Sequence, residues 1–292
     1  MVYPDHPDGD RRPVGPDDFD LAWGFRGALR RTDPGSFADL LDRSTSLRWL
    51  QSFSAGNDQP VIRRLIDRGV LVTASRAGAV AIAEFVLRSV LGHYQQPDRW
   101  QLARESEQWA PGDFREVWGT RWLIVGLGAI GTATAVRARA FGAEVVGVRR
   151  RPAGDEPVDA MIDPGGIAGA LPAADVVVLA VPGTPETHHL VDERFLGAMQ
   201  PGSVLVNVAR GTLIDDRALL AALDRGCPEV AILDAVTTEP PGPGHPYWRH
   251  ERVVLSPHTS SRGTQVERRQ GELFLENLAR YVDGRPLRDR LD

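Results

Sequence analysis

Residues 121–131 read RWLIVGLGAIG. An apolar run is followed at once by three glycines in G-x-G-x-x-G spacing. In this spacing the first glycine permits a tight turn, the second lets a pyrophosphate approach the backbone, and the third lets a helix pack closely on the strand. The stretch therefore predicts a strand, a nucleotide-binding loop and a helix whose N-terminus faces phosphate. The predicted contacts in this loop are Gly126, Leu127, Gly128, Ala129, Ile130 and Gly131.

Further short apolar runs follow, and helical patterns separate them. The runs are rich in Val, Ile and Leu on both alternating faces, which is typical of parallel strands covered on both sides. The helical pattern at 215–225 begins after Asp215 as N-cap and ends near Gly226. Strands that alternate with helices predict an α/β fold with a doubly wound sheet. The runs lie at residues 121–128, 143–148, 174–181, 203–209, 230–236 and 252–258.

A shorter α/β alternation precedes the glycine loop. It predicts a second, smaller α/β unit, which a helical pattern near the C-terminus, at 264–283, follows much later in the chain. The connector 94–118 shows no strand pattern, and residues 19–46 give one helix and a poor strand signal. The Pro, Gly and Asp content of residues 1–18 predicts a disordered tail. The elements of the alternation are a helix near 36–43, a strand at 47–51, a helix near 60–68, a strand at 70–75 and a helix at 79–93.

Composition limits the class of protein. The net charge of −5 and the pI near 5.8 provide no basic field for nucleic acid or anionic lipid, so neither is an expected partner. A single cysteine, Cys227, cannot form an internal disulfide, and it is interpreted as structural. Because no apolar segment approaches the ~20 residues that span a bilayer, and none resembles a signal peptide, a cytoplasmic location is expected.

Three arginines end the second strand of the predicted sheet, where EVVGVRRRP spans residues 144–152. Arg149 occupies the position, ~20 residues after the glycine loop, at which an acid would accept the ribose 2′-hydroxyl. A guanidinium cannot accept that hydrogen bond but pairs well with a 2′-phosphate, so Arg149 and Arg150 favour NADP over NAD. A solvated charge run is the alternative interpretation of the same pattern, and Arg151 carries no assignment.

Three further polar residues follow later strands. Arg210 lies in NVARGTLID, Glu239 in LDAVTTEPP and His258 in VLSPHTSS. Since the carboxyl ends of parallel strands line one crevice, these side chains are expected to converge. An arginine can hold a carboxylate bidentately and polarise a neighbouring carbonyl, a histidine can exchange a proton near neutral pH, and a glutamate can orient the imidazole.

The motifs together resemble the D-isomer-specific 2-hydroxyacid dehydrogenases, and within them the glyoxylate/hydroxypyruvate reductases. The resemblance runs from QSFSAGND, residues 51–58, to the C-terminus, through AEFVL, GLGAIG, VPGTPET, NVARGTLID, DAVTTEPP and SPHTS. It implies a Rossmann nucleotide domain inserted into a smaller flavodoxin-like substrate domain. The substrate domain is expected to be truncated, because only about 50 residues precede the SAG loop. The expected divisions are a tail at 1–18, a substrate domain at 19–92 and 263–292, and an NAD(P)-binding domain at 93–262.

The resemblance also implies an activity and a set of contacts. The activity is reduction of a small 2-oxoacid, with Arg210, Glu239 and His258 catalytic, and domain closure would exclude water from the reaction. No metal is expected, because His188 and His189 have no acid or cysteine at ligand spacing. A homodimer is expected by analogy with the family. The substrate-binding residues implied are Ser54, Ala55, Gly56, Gly78, Arg210 and His258; the remaining cofactor contacts implied are Val181, Pro182, Thr187, Val208, Ala209, Arg210, Asp234 and His258.

The alternatives belong to other classes of function. A catalytically silent NAD(P)-binding sensor or corepressor-like protein would keep the glycine loop and lack turnover. A formate dehydrogenase is a weaker alternative, since hydride removal from formate requires no proton donor. An enzyme that uses S-adenosylmethionine would explain the glycines but leave the three later motifs without a role.

Overall fold

The computed structural model describes residues 14–25, 28–29, 33–56 and 59–291. The chain divides into two compact units, a smaller one of Met1–Ala77 with Glu267–Asp292 and a larger one of Gly78–Val266. Residues 78–92, which the sequence analysis placed in the substrate domain, are grouped with the larger unit. Most of the predicted tail, residues 1–13, lies outside the described residues.

The first elements of the smaller unit alternate between strand and helix, as predicted. The N-cap of the first helix is Ser36, whose hydroxyl accepts the N–H of Asp39. One strand was not predicted, because three residues with a single buried side chain give no alternation. The elements are β1 (Leu21–Trp23), α1 (Phe37–Arg43), β2 (Trp49–Gln51), α2 (Pro60–Asp67) and β3 (Leu71–Thr73).

The larger unit contains a seven-stranded sheet in the order β10-β9-β8-β7-β4-β5-β6, and all of its strands are parallel. The elements are α3 (Ala79–Gln95), α4 (Asp98–Glu105), β4 (Arg121–Val125), α5 (Ala129–Ala140), β5 (Glu144–Val148), β6 (Ala160–Ile162), α6 (Ile167–Ala170), β7 (Val176–Leu179), α7 (Glu193–Ala198), β8 (Val204–Asn207), α8 (Asp216–Asp224), β9 (Val230–Leu233) and β10 (Val253–Leu255). Short 3₁₀ turns occur at Pro164–Gly166, Leu171–Ala173, Pro185–Thr187, Gly211–Leu213 and Pro246–Trp248.

The central strands of this sheet are buried on both faces. Every residue of β7, β8 and β9 is buried, which explains why their sequences are apolar except for Asn207 at the end of β8. Alternate side chains enter different cores: Val177 and Leu205 join one hydrophobic cluster, and Val178 and Val206 join the other. Burial of each such side chain contributes about 1.5–3 kcal/mol. The predicted α/β fold is confirmed.

The order of the strands places the glycine loop at the centre of the sheet. After β4 the chain adds β5 and β6 on one side, then crosses to β7, β8, β9 and β10 on the other. The loop after β4 is therefore at the topological switch point, where ligands bind outside the carboxyl ends of the strands. The helix after this loop, α5, packs on α3.

Two elements of the larger unit were not predicted. Helix α4 lies in the connector and has no buried residue, so its sequence carries no apolar stripe. Strand β6 has three residues and none of them is fully buried. Neither gives a periodic signal.

The last elements, α9 (Val266–Val282) and β11 (Arg290–Leu291), complete the smaller unit. Its sheet has the order β1-β2-β3-β11, with β11 antiparallel to β3. Phe274 of α9 stacks on Trp23 and Trp49 at centroid distances of 4.7 and 5.7 Å. Asn277 donates its amide to Gln51 Oε1 at 2.9 Å. The predicted C-terminal helix thus belongs to the core of the smaller unit. No helix in the described part of the chain is long and apolar enough to cross a bilayer.

Candidate active site

The glycine loop is shaped to receive a phosphate. Gly126 has φ +101°, and a Cβ there would lie 2.6 Å from the carbonyl oxygen of Ala180. A Cβ on Gly131 would lie 1.9 Å from the oxygen of Gly126, so only glycine lets α5 approach β4 this closely. By contrast, nothing lies within 4 Å of a Cβ on Gly128. Because Gly128 is the N-cap of α5 and provides no side-chain cap, the open space lies beside the first N–H groups of the helix. This cradle fits a dinucleotide pyrophosphate.

The three arginines after β5 line one cavity of about 380 Å³. Arg149 Nη1 forms an ion pair with Glu156 Oε1 at 2.9 Å, whereas Arg150 and Arg151 are exposed. Arg151, which received no role from the sequence, therefore lines the same cavity as Arg149 and Arg150. The cavity is cationic, and it follows the strand next to the glycine loop.

Arg210 is held by the backbone around it. Asn207, the last residue of β8, donates its amide to Arg210 O at 2.9 Å and to Ala235 O at 3.2 Å. A Cβ on the next residue, Gly211, would lie 1.9 Å from the carbonyl carbon of Val236. The turn that carries Arg210 is therefore packed directly against the segment after β9.

The turn that carries His258 is organised by one buried carboxylate. Asp234 is 2% exposed, and its Oδ1 accepts Ser256 Oγ at 2.6 Å, Thr259 N at 2.8 Å and Ser260 N at 3.2 Å. Within this turn His258 has φ +48°, a conformation uncommon for a residue with a side chain. Asp234 therefore compensates the strain and fixes the backbone of His258.

The ring of His258 is oriented by Glu239. His258 Nδ1 lies 2.8 Å from both carboxylate oxygens of Glu239. Nδ1 is the hydrogen-bond donor in this pair, because an ionised carboxylate only accepts. The His258 side chain is 28% exposed, and Nε2 is then the ring position available for proton exchange.

Arg210, Glu239 and His258 thus follow β8, β9 and β10, which are neighbours in the sheet. Their strands end at the same edge as the glycine loop, where the side chains of Glu239 and His258 are in contact; convergence of Arg210 with them stays a prediction. Beside Arg210 lies a second cavity, of about 470 Å³, lined by Gly183, Thr184, Pro185, His188 and Thr212.

Residues 86–260 match the family described as D-isomer specific 2-hydroxyacid dehydrogenase, NAD binding domain. The chain belongs to this family. It is an NAD(P)-dependent oxidoreductase of the 2-hydroxyacid dehydrogenase type, with the α/β architecture that the sequence predicts.

Three relatives illustrate the range of this family. The chain is 31% identical to a glyoxylate reductase of Thermococcus gammatolerans over 84% of this chain and 76% of that protein. It is 30% identical to a hydroxyphenylpyruvate reductase of Plectranthus scutellarioides, over 90% and 84% of the two chains. A solved structure of a D-isomer specific 2-hydroxyacid dehydrogenase from Xanthobacter autotrophicus Py2, in complex with NADPH and MES, is 28% identical with a TM-score of 0.79, covering 98% of this chain and 87% of that one.

The other predicted contacts of the dehydrogenase are divided between the two units. Ser54, Ala55 and Gly56 lie in the smaller unit, where Ser54 O accepts Ser75 N at 2.9 Å. Gly78 lies at the first position of the larger unit.

The predicted cofactor contacts after β7 and β8 lie at the same edge as the glycine loop. Thr187 Oγ1 donates to Pro182 O at 2.7 Å and accepts Thr184 N at 2.9 Å, which closes the turn after β7. Val181 is partly buried, whereas Val208 and Ala209 are buried.

Other histidines and the cysteine contribute no metal site among the described residues. No group of three His, Cys, Asp or Glu side chains converges there as metal ligands would. His188 and His189 stack on each other at 3.9 Å. Burial raises the pKa of the Cys227 thiol, as expected of a structural cysteine.

Asn207 and Glu156 were not recognised from sequence, and Asp234 was predicted as a cofactor contact but not as the residue that fixes the turn of His258. Asn207 interrupts an otherwise apolar strand, and a buried amide at a strand end was the signal available. The positioning contact of Asp234 joins segments more than 20 residues apart, and Glu156 lies in a loop without periodicity. Both require the folded chain to be seen.

Proposed function

We propose that this dehydrogenase is an NADPH-preferring reductase of small 2-oxoacids, with glyoxylate and hydroxypyruvate as expected substrates. The observation that carries the proposal is the pair between His258 and Glu239, with Nδ1 2.8 Å from the carboxylate, at the edge of the sheet that also carries the glycine loop. A histidine in this arrangement serves as a proton donor and acceptor.

Each catalytic residue has a distinct task in the proposal. Arg210 binds the substrate carboxylate with two parallel N–H donors and polarises the adjacent ketone. His258 gives the proton on Nε2 to the ketone oxygen during reduction and takes it back during oxidation. Glu239 accepts the hydrogen bond from Nδ1–H and fixes the orientation of the imidazole. Ser54, Ala55, Gly56 and Gly78 stay predicted contacts of the substrate.

The cofactor preference rests on charge at the end of β5. The bound nicotinamide cofactor supplies the hydride. The glycine loop would hold its pyrophosphate, and the cavity lined by Arg149, Arg150 and Arg151 would receive a 2′-phosphate. The relative from Xanthobacter autotrophicus, solved with NADPH, supports the same preference.

The substrate class rests on Arg210 and on the relatives. A guanidinium and a proton donor carried at one edge of the sheet suit a carboxylate next to a ketone. The glyoxylate reductase and hydroxyphenylpyruvate reductase among the relatives carry names that fit this class.

A panel of substrates tests the proposal. Purified protein is mixed with NADPH or NADH and with glyoxylate, hydroxypyruvate or hydroxyphenylpyruvate, and cofactor absorbance at ~340 nm is followed. We expect turnover with the two smaller acids and a higher kcat/KM with NADPH. Tight cofactor binding without turnover on any 2-oxoacid would instead favour the sensor or corepressor-like alternative.

We also propose a homodimer formed through the connector after α3. Trp109 and Trp118 are 97% and 75% exposed, and large exposed aromatic side chains are typical of interfaces. The connector is anchored, because Arg115 pairs with Asp175 at 2.6 Å and lies 4.4 Å from the ring centroid of Tyr94. Burial raises the pKa of Tyr94 to about 12, so this ring stays neutral.

A further inference from the structure

The loop after β5 closes on a single carboxylate. Glu156 Oε1 accepts Ala153 N at 2.6 Å and Arg149 Nη1 at 2.9 Å, and Oε2 accepts Gly154 N at 2.9 Å. The Glu156 side chain is only 5% exposed. Gly154 has φ +94°, a conformation that favours glycine and lets the chain turn back so that Glu156 reaches these two N–H groups. A buried anion inside the protein thus already occupies the concave side of this turn.

The ion pair with Glu156 distinguishes Arg149 from Arg150 and Arg151. Arg149 shares its charge with Glu156, and the Glu156 carboxylate is kept ionised because the N–H of Ala153, foremost, and Arg149 lower its pKa. In the sequence, Arg150 and Arg151 lie between Arg149 and Glu156, the two residues whose ion pair closes the loop. Within the described part of the chain neither makes an ion pair or a side-chain hydrogen bond. These two are therefore the cations available to a dianion in the cavity.

We propose that Glu156 is a specificity-positioning residue: its carboxylate fixes Arg149 and the loop 149–156 so that Arg150 and Arg151 supply the contact to the 2′-phosphate. This inference rests on the proposed preference for NADPH. The loop is ordered before the cofactor arrives, so less side-chain and backbone entropy is lost when the phosphate binds. An acid near a phosphate site would ordinarily weaken binding by repulsion, but here its charge is neutralised by Arg149 and two N–H groups.

The opposite interpretation makes a different prediction. If Arg149 were the main phosphate ligand, Glu156 would compete with the phosphate for it. Removal of the acid would then strengthen binding of the phosphate. The two interpretations are separated by the direction of the change.

The experiment measures binding of cofactor fragments by calorimetry, without catalysis. Adenosine 2′,5′-bisphosphate carries the 2′-phosphate and 5′-AMP lacks it. Glu156→Gln keeps the size of the side chain but places an amide NH₂ against N–H donors. Loss of the charge-assisted bonds that order the loop should weaken 2′,5′-bisphosphate binding by ~10-fold and 5′-AMP binding by less than ~2-fold. Arg150→Ala and Arg151→Ala should each show the same selective loss.

A matched control lies at the other end of the same strand. Glu144 begins β5 and pairs with Arg121 at 2.9 Å, so Glu144→Gln also removes an ion-paired acid from this strand. It should leave both ligands' affinities unchanged. Thermal unfolding of each variant measures any general loss of structure.

Each outcome has one meaning. Equal affinity of the unmutated protein for the two ligands would overturn the NADPH preference and this inference with it. A preference for the 2′,5′-bisphosphate that is unchanged or increased in Glu156→Gln would overturn the inference alone. An equal loss for both ligands would also overturn it, because it would show a structural role only.

Discussion

His258 combines a strained backbone with an oriented ring. Its φ of +48° is held by donors that converge on Asp234, and its Nδ1 faces Glu239 at 2.8 Å. Backbone strain of this kind costs of order 1–3 kcal/mol and persists only where the surroundings enforce it. The position of Nε2 is therefore determined by the fold on one side and by Glu239 on the other.

Replacement of this ring tests the proton-transfer role. In His258→Gln the side chain still forms hydrogen bonds but cannot donate a proton at neutral pH. We expect kcat for 2-oxoacid reduction to fall by ~10²- to 10⁴-fold. The affinity for NADPH, measured by fluorescence titration, should change by less than ~2-fold, because the contacts of the glycine loop are unaltered.

The control for this variant is His189→Gln. His189 is exposed and lies outside the three proposed catalytic residues. It should retain the activity of the unmutated protein. A His258→Gln variant with full kcat would exclude this histidine as the proton donor.

In the turn from β4 into α5, Gly128 and Gly131 are glycine for different reasons. A methyl group on Gly131 meets the oxygen of Gly126 at 1.9 Å, whereas one on Gly128 meets nothing within 4 Å. Gly131 is required by the packing of the protein, and we propose that Gly128 is required by the approach of a ligand. Substitution of Gly131 should therefore lower the stability of the protein, whereas substitution of Gly128 should weaken cofactor binding.

We expect Gly131→Ala to destabilise the protein by ~1–3 kcal/mol, since the helix must move away from the strand. Gly128→Ala should keep or slightly raise Tm, because its φ of −78° suits alanine. The same variant should weaken NADPH binding by at least ~10-fold, because the methyl group occupies the approach of the pyrophosphate. Thermal unfolding and fluorescence titration measure the two effects.

Gly197→Ala provides the comparison for this pair. Gly197 lies in α7, and a Cβ there also meets nothing within 4 Å. Its Tm and NADPH affinity should both be retained. Intact NADPH binding in Gly128→Ala would contradict the proposed position of the pyrophosphate.

Elements with a local signal could be predicted from sequence. The glycine spacing, the apolar runs of β7, β8 and β9, and the cap at Asp215 all reside in a few consecutive residues. β1, β6 and α4 could not be predicted in this way, since they are short or expose every face. A periodic pattern exists only where one face of an element is buried.

The residues of the candidate site also differ in whether their positions could be predicted from sequence. The placement of Arg210, Glu239 and His258 after neighbouring strands could be predicted because the ends of parallel strands share one edge. The pairing of Arg149 with Glu156 depends on closure of a loop, and the strain at His258 depends on a carboxylate more than 20 residues earlier. Such contacts have no signature in the spacing of the chain, so the special roles of Glu156 and Asp234 emerged only from the fold.

The exposed side chains of Trp109 and Trp118 in the connector predict that two copies of the protein associate. Stable interfaces bury about 1,200–2,000 Å², with aromatic residues at their centre. We expect light scattering to give twice the chain mass of 31.9 kDa. Trp109→Glu combined with Trp118→Glu should give the mass of one chain, because burial of the new charges is costly.

Phe25→Glu is the matched control for the assembly. Phe25 is also a large exposed aromatic residue, but it lies in the smaller unit. The mass measured for this variant should equal that of the unmutated protein. A single-chain mass for the unmutated protein at micromolar concentration would contradict the proposed dimer.

The exposure of Arg150 and Arg151 has a consequence for how the protein responds to its surroundings. Dissolved ions screen charges at a surface over a Debye length of ~8 Å at 0.15 M ionic strength and ~30 Å at 0.01 M. The proposed pyrophosphate contacts are backbone N–H groups at the start of α5, which carry partial charges, so their sensitivity to salt is expected to be smaller. The preference for NADPH over NADH is therefore expected to decrease as ionic strength rises. It depends on the solvent as well as on the protein.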